Sequence, residues 1–332
     1  MSTLKDVARK AQVSPITVSR VINTPEKVKA ETCERVRRVM SSLQYIPNVA
    51  AKNLVAKRSG IIDVFVPESI DLSNPFVMHF IAGISNVLSR RMYSFLILRD
   101  RSREHFCDGY IVTGLLKNEI LEFHEYASQR SRPITLFGHT ELQDVDCIDV
   151  DNIRGAKNVV DRLIKAGHCR IGMINVLENK DYTADRYAGY ECAIEDAGIP
   201  MDPTLVIQAE NSVEGGCSAA KKLLATTRCT AIFCATDTMA IGVCKAAAEM
   251  GLRVPEDFSV IGMDNIRVAE YPDIDLASID SHVEEVCENV CGLLQKKLKN
   301  PYFRVRQQIS VPGDFVLRGS VGTAKDGREE LG

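Results

Sequence analysis

The chain has 332 residues, a formal net charge of −3, 26% charged residues, 11 cysteines and no tryptophan. An odd cysteine count with no Cys-x-x-Cys and no paired Cys/His spacing argues against a disulfide framework and a zinc site, and suits a reducing cytoplasm. No N-terminal apolar stretch with a cleavage site and no run of about 18 apolar residues is found, so neither secretion nor membrane insertion is expected.

The charge is unevenly placed. Residues 1–60 hold 12 Lys and Arg against 4 Asp and Glu, a net of +8 that leaves −11 for the remainder. Segregated basic charge suits a polyanion such as double-stranded DNA, whose phosphates release counterions when they are neutralised.

Within this basic stretch, Thr3 followed by Asp6 forms the pattern of a capping box, so a helix starts near Leu4 and carries Val7, Ala8 and Ala11 on one face. Ser14 is a good N-cap and Pro15 suits the first helical position, so a second helix runs from Pro15 to about Asn23. Two helices hinged at Val13-Ser14-Pro15 predict a helix-turn-helix. Val18, Val21 and Ile22 face inward, leaving Pro15, Ile16, Thr17, Ser19, Arg20 and Asn23 for a partner. A third amphipathic stretch, 31–43, closes the small core through Val36, Val39, Met40 and Leu43, with Arg35, Arg37 and Arg38 outside. The following segment, 47–56, is too short to be a stable helix by itself in water, and reads equally as a helix that forms only with help or as a linker whose Leu54 packs on the body.

Thr3-Leu4-Lys5-Asp6-Val7-Ala8, Val13-Ser14, Thr17-Val18-Ser19-Arg20-Val21-Ile22-Asn23 and Tyr45-x-Pro47-Asn48-x-x-Ala51-x-x-Leu54 together resemble the lactose-repressor (LacI/GalR) family of bacterial transcription regulators. The resemblance is dense in residues 1–58 and looser beyond. It implies that the second helix reads the major groove, with Pro15 and Ile16 at operator-specificity positions and Arg20 at a base-contacting one. Pro15 and Ile16 offer no side-chain hydrogen bond, so they should read thymine methyls or shape, leaving Arg20 for guanine. Thr3, Leu4, Ser14, Thr17, Ser19, Asn23 and Tyr45 would hold backbone or neighbouring groups. Residues 47–58 would be a hinge helix in the minor groove, with Asn48 and Ala51 on it and Leu54 wedged between base pairs. Lys29 departs from the family, standing where a helix-capping Ser is common.

From Gly60 the texture changes to short apolar runs alternating with helical patterns. Strands are expected at 61–66, 94–98, 110–112, 134–137, 148–150, 171–174, 231–234, 259–263 and 278–280, with helices at 76–90, 153–166, 186–197, 216–225, 239–250 and 282–298. Such alternation predicts parallel sheets covered by helices, and this length predicts two doubly wound subdomains flanking a cleft. Any ligand belongs at the strands' carboxyl ends. The expected organisation is therefore a helix-turn-helix domain (1–46), a hinge (47–58) and an effector-binding, dimerising α/β body (59–332). The resemblance implies the same body, similar to periplasmic sugar-binding proteins.

Polar residues follow the strands. Phe76, Asp151, Arg186, Thr236, Asp237 and Asp264 are candidates for a polyhydroxylated effector, whose hydroxyls need donors and acceptors and whose C–H face stacks on a ring. Asp151 and Asp237 could equally be helix caps. By resemblance, Arg186 in Arg186-x-x-Gly189-Tyr190 and Asp264 in Gly262-Met263-Asp264 match effector-contacting positions. No aromatic residue stands at Asn211-Ser212, where some relatives place a platform. Only seven residues separate Asp100 from Asp108, where the family usually fits a whole helix. Cys287 and Cys291 are read as buried thiols. His168 is read as a helix-end contact, and the other five histidines as standing apart from any carboxylate partner. The tail 322–332 has no leucine heptads, so a homodimer is expected.

The expected function is a cytoplasmic, sequence-specific DNA-binding repressor governed by a small sugar-type effector, with no cofactor and no metal. A cytoplasmic sugar-processing enzyme is the alternative. It would need a phosphate loop, nucleophile elbow or positioned His/Asp pair, and none is legible.

Overall fold

The computed structural model describes residues 3–45, 58–102, 105–266, 275–300 and 306–324, and the chain divides into two units, 1–59 and 60–332.

The first unit is helical. α1 (Leu4–Ala11) begins on the expected capping box: the Asp6 amide donates to Thr3 Oγ1 at 3.3 Å and the Thr3 amide to Asp6 Oδ2 at 2.9 Å. The Thr3 contacts hold the Asp6 carboxyl below its ordinary range. Gln12 ends the helix in the left-handed region (φ 53°). α2 (Pro15–Asn23) starts at Ser14, whose Oγ accepts the Thr17 amide at 3.1 Å. α3 (Ala30–Ser42) starts at Lys29 without a side-chain cap, as the missing Ser foretold. Val7, Ala8, Ala11, Val18, Val21, Cys33 and Val36 form the core. Leu4 and Tyr45 pack at its edge.

The second unit contains two parallel sheets. The first runs β2 (Ser94–Leu98), β1 (Ile61–Phe65), β3 (Gly109–Thr113), β4 (Ile134–Phe137), β5 (Asp146–Val150) and β11 (Gln308–Val311). Side chains alternate along β1. Ile62 and Val64 pack beneath α4 (Pro75–Arg90) and α10 (Val283–Lys299), while Phe65 packs beneath α5 (Lys117–Gln129). The second sheet runs β7 (Val206–Ala209), β6 (Ile171–Val176), β8 (Ala231–Cys234) and β9 (Ser259–Ile261). It lies between α6 (Asn152–Lys165) with α7 (Asp181–Asp196) and α8 (Val213–Thr226) with α9 (Asp237–Glu249). β10 (Ser278–Asp280) and β12 (Asp314–Val316) form an antiparallel pair beside it.

The chain crosses between subdomains three times: from β5 to α6, from β10 to α10, and from β11 to β12. Each subdomain is thus built from separated segments.

Gly189 shows why a small residue is required where α6 meets α7: a Cβ there would collide with the Ile153 carbonyl and stand 2.8 Å from the Ala156 Cβ. Gly189→Ala should cost about 1–3 kcal/mol in urea unfolding, with no cost if the helices can separate freely.

Several elements differ from expectation. α5, β7, β11 and β12 were not legible, and α7 begins at Asp181 instead of Arg186, placing Arg186 inside the helix. The described residues between β2 and β3 form no helix. Leu96 and Phe106 are consequently 45% and 54% exposed. Cys287 and Cys291 are buried as expected, and burial pushes both thiols up to about 12.

The histidines require a correction. His168 is buried in a long-range network with Thr230 Oγ1 (2.9 Å), Ser259 Oγ and the Gly322 carbonyl (both 3.1 Å), and burial lowers its pKa. His105, His124, His139 and His282 do have carboxylate partners, in Asp63, Asp144, Asp149 and Asp314. Every one of these partners is brought in from another element, which spacing along the chain does not reveal. Among the described residues no helix is long and apolar enough to cross a membrane.

Candidate functional site

In the first unit, α2 presents Pro15, Ile16 and Arg20 as an exposed face, with Ile16 65% exposed. Thr17 and Ser19 are half-buried, and the Thr17 hydroxyl lies 2.9 Å from Ser14 Oγ. Thr3 and Ser14 are occupied as caps, and Asn23 closes α2. The geometry divides the predicted residues into those shaping the helix pair and those exposed on α2. Asn48, Ala51, Leu54 and the expected hinge helix lie outside the described residues.

In the second unit a cavity of about 450 Å³ opens between the two sheets. Its lining follows the strands' carboxyl ends: Val66 after β1, Gly114 after β3, Gly138 after β4, Asp149 and Val150 on β5, Asn211 after β7, Thr236 after β8 and Asp264 after β9. Arg186, on the second turn of α7, is its fixed point. Its Nε donates to Asn152 Oδ1 at 2.9 Å, one terminal nitrogen donates to the Ala235 carbonyl, and the other pairs with Asp264 Oδ1 at 3.2 Å. The guanidinium also lies over the Tyr182 ring, 4.8 Å from its centroid. Asp264 adopts φ 114°, a conformation a non-glycine residue takes only when its surroundings impose it. Ser281 Oγ donates to the same carboxylate at 3.3 Å. Burial raises the Asp264 pKa and Arg186 opposes the rise.

An aromatic wall faces these groups. Asn74 caps α4 through the Phe76 amide (3.0 Å), fixing Phe76 at the rim. Phe76 and Phe80 each stack on Phe137, with centroids 5.8 and 5.1 Å apart. A polyol stacked on such rings could turn its hydroxyls toward Asn152, Arg186 and Asp264.

Phe76, Arg186, Thr236 and Asp264 therefore come together at the cavity, whereas Asp151 and Asp237 do not. Asp151 caps α6 by accepting the Arg154 amide at 3.1 Å, and its neighbour Asn152 faces the cavity instead. Asp237 is fully buried, accepting Ser278 Oγ and the Ile266 amide, each at 2.7 Å. Burial, and then Asp264, raise it to about 7. A carboxyl raised in the fold stabilises most when it is protonated. Its contribution is complete below the ordinary Asp pKa and is lost as pH rises toward 7. Asp237→Asn should therefore flatten the stability decline between about pH 4 and 7, and an unchanged slope in chemical unfolding would assign that decline elsewhere. Sequence reasoning missed Tyr182, Phe137 and Lys180. Lys180 is buried and donates to the Gly114 carbonyl at 3.1 Å, and burial lowers its pKa.

Ligand atoms of His139, Asp149 and Asp185 lie within 4.8 Å of one another, close enough to share a cation. His139 Nδ1 lies 3.0 Å from Asp149 Oδ2, within hydrogen-bond distance.

A basic helix-turn-helix unit joined to a two-subdomain body with a ligand cavity defines a DNA-binding regulator. The family model of bacterial regulatory proteins of the lacI family matches residues 3–48, and that of a periplasmic binding protein-like domain matches residues 160–321. The chain belongs to the LacI family of DNA-binding transcription regulators and is not an enzyme. It is 31% identical to the ribose operon repressor of Haemophilus influenzae, over 98% of this chain and 100% of that one. It is 33% identical to the HTH-type transcriptional regulator YvdE of Bacillus subtilis, over 90% and 93%. A solved complex of the transcriptional regulator CelR with cellobiose superposes with a TM-score of 0.73 at 27% identity, covering 97% of this chain and 100% of that one.

Proposed function

We propose that this regulator is a cytoplasmic, homodimeric repressor whose operator affinity is set by a small carbohydrate-type effector in the body cavity. The observation that carries the reading is Arg186, fixed by Asn152, Ala235 and Asp264 opposite the Phe76 and Phe137 rings. Donors, acceptors and a stacking surface converge there in the combination a polyol needs. The ribose operon repressor and the CelR–cellobiose complex among its relatives support the same ligand class.

On DNA, each protomer places α2 in the major groove of one half-site, with Ile16 and Pro15 on apolar base edges and Arg20 on guanine. Thr3, Leu4, Ser14, Thr17, Ser19, Asn23 and Tyr45 support that placement. The hinge, with Asn48, Ala51 and Leu54, holds the centre of the operator. Effector binding shifts the subdomains and with them the hinge, so the two affinities are linked.

A panel of monosaccharides and disaccharides tests the reading by thermal shift and by operator release. A sugar that raises the melting temperature should also alter operator retention. Removing residues 1–58 should abolish DNA binding while keeping the sugar's thermal shift. Loss of the shift in the truncated body, once it is shown to be folded, would contradict the placement of the effector.

A further inference from the structure

We propose that Lys180 selects the effector: its ammonium donates to a hydroxyl or ring oxygen of an uncharged sugar, and the carboxylates around it reject the phosphorylated counterpart of that sugar. The proposal rests on the carbohydrate reading above and narrows it.

Lys180 stands where no local rule favours a lysine. It occupies the N-cap position of α7, yet its side chain caps nothing there, and a cation is disfavoured at the positive end of a helix. The residue is only 7% exposed, and taking an ammonium out of water is costly unless it is paired. Among the described residues it forms no ion pair. Glu178 and Glu119 act on its charge from farther away, opposing the burial that lowers its pKa. A buried charge held at such cost to the fold is a mark of a binding position.

Its contacts point into the cavity. An ammonium carries three N–H groups. One donates to the Gly114 carbonyl at 3.1 Å, and Lys180 lines the cavity, so two are left for a molecule inside it. Gly114 belongs to the first subdomain, just after β3. Its φ of 74° and a Cβ position 2.9 Å from Ile70 Cγ1 both favour glycine, which keeps that carbonyl in place. The bond joins the two subdomains, so an effector oxygen held by Lys180 is held where the cleft closes.

The surrounding charge decides which effector fits. Asp71, Asp149, Glu178, Asp181, Glu210 and Asp264 line the same cavity, against Lys180 and Arg186. Lys117 and His139 each lie 3.9 Å from Asp181, and Arg186 also acts on Asp185. With all of these groups counted as charged, carboxylates remain in excess. Arg186 is engaged at each of its three nitrogens, and its charge is answered by Asp264. A phosphate group would therefore meet one unpaired cation amid an excess of like charge, a mismatch that excludes it. A hydroxyl meets no such opposition.

The test is calorimetry on the full-length protein with ribose, glucose and cellobiose, each alongside its phosphate monoester. EDTA is present throughout, so that no metal ion offsets the carboxylates. A sugar that binds should do so at least about tenfold more tightly than its monoester, a difference of about 1.4 kcal/mol. Lys180→Met should weaken that sugar roughly 10- to 100-fold, the loss of a hydrogen bond to a charged group. Without sugar, Lys180→Met should unfold at the same or a higher urea concentration, because a desolvated charge has been removed. A monoester that binds more tightly than its parent sugar would overturn the proposal and leave the carbohydrate reading standing. Unchanged sugar affinity in Lys180→Met would also overturn it. So would unfolding of that variant at lower urea, since Lys180 would then be a strut of the fold. Binding of neither sugars nor monoesters would instead remove the carbohydrate reading, and the proposal with it.

Discussion

Arg186→Ala will abolish the response to effector and destabilise the body. The Arg186 and Asp264 side chains are 7% and 5% exposed, so removing the guanidinium leaves a buried carboxylate with Ser281 as its remaining side-chain donor among the described residues. It also strips donors from Asn152 Oδ1 and the Ala235 carbonyl. Breaking one partner of such a buried pair typically costs about 3–5 kcal/mol. The double variant Arg186→Ala/Asp264→Ala should recover part of that stability, because the uncompensated charge is gone, while the response stays absent. Asp151→Ala is the control: loss of its cap costs about 1 kcal/mol and should leave the response intact, since Asp151 does not line the cavity. Effector-dependent operator release separates these outcomes. A folded Arg186→Ala protein that still releases operator normally would remove Arg186 from the site.

Arg20→Ala will lower affinity for the specific operator roughly 5- to 150-fold, the loss of one bidentate guanine contact worth about 1–3 kcal/mol. Arg20 is exposed on α2 and the head core is formed by other residues, so the fold should be unaffected. Binding to unrelated DNA should weaken far less, because a phosphate contact costs affinity without regard to sequence. Fluorescence anisotropy on matched and scrambled duplexes at one fixed salt concentration gives the ratio. Equal losses on both duplexes would make Arg20 a phosphate contact and leave the guanine to another residue.

The head was legible because its signals are local. Thr3 with Asp6, Ser14 with Pro15, and the spacing of Val18 and Val21 act within one or two helical turns, and each reappears in the structure at its expected place. The body was legible as a fold class because buried parallel strands must be short apolar runs. β7, β11 and β12 escaped because they are half-exposed strands at sheet edges, where Gln208, Gln308 and Asp314 interrupt the apolar run. The cavity was half legible for a related reason. A polar residue after a strand either caps the next helix or faces the ligand, and one position of offset decides which. Asp151 caps while Asn152 lines the cavity, and Thr236 both caps α9 and lines it while Asp237 turns into the core. Tyr182 was missed because its helix was expected to start only at Arg186, so nothing local placed its ring against the Arg186 guanidinium.

Site-specific operator binding is the central claim, and sequencing of genomic fragments retained by the purified full-length protein at moderate salt tests it most directly. Enrichment of one or a few near-palindromic sequences is the predicted result, with Arg20→Ala losing that enrichment. Failure to enrich any sequence, both without and with added cell metabolites, would contradict the account.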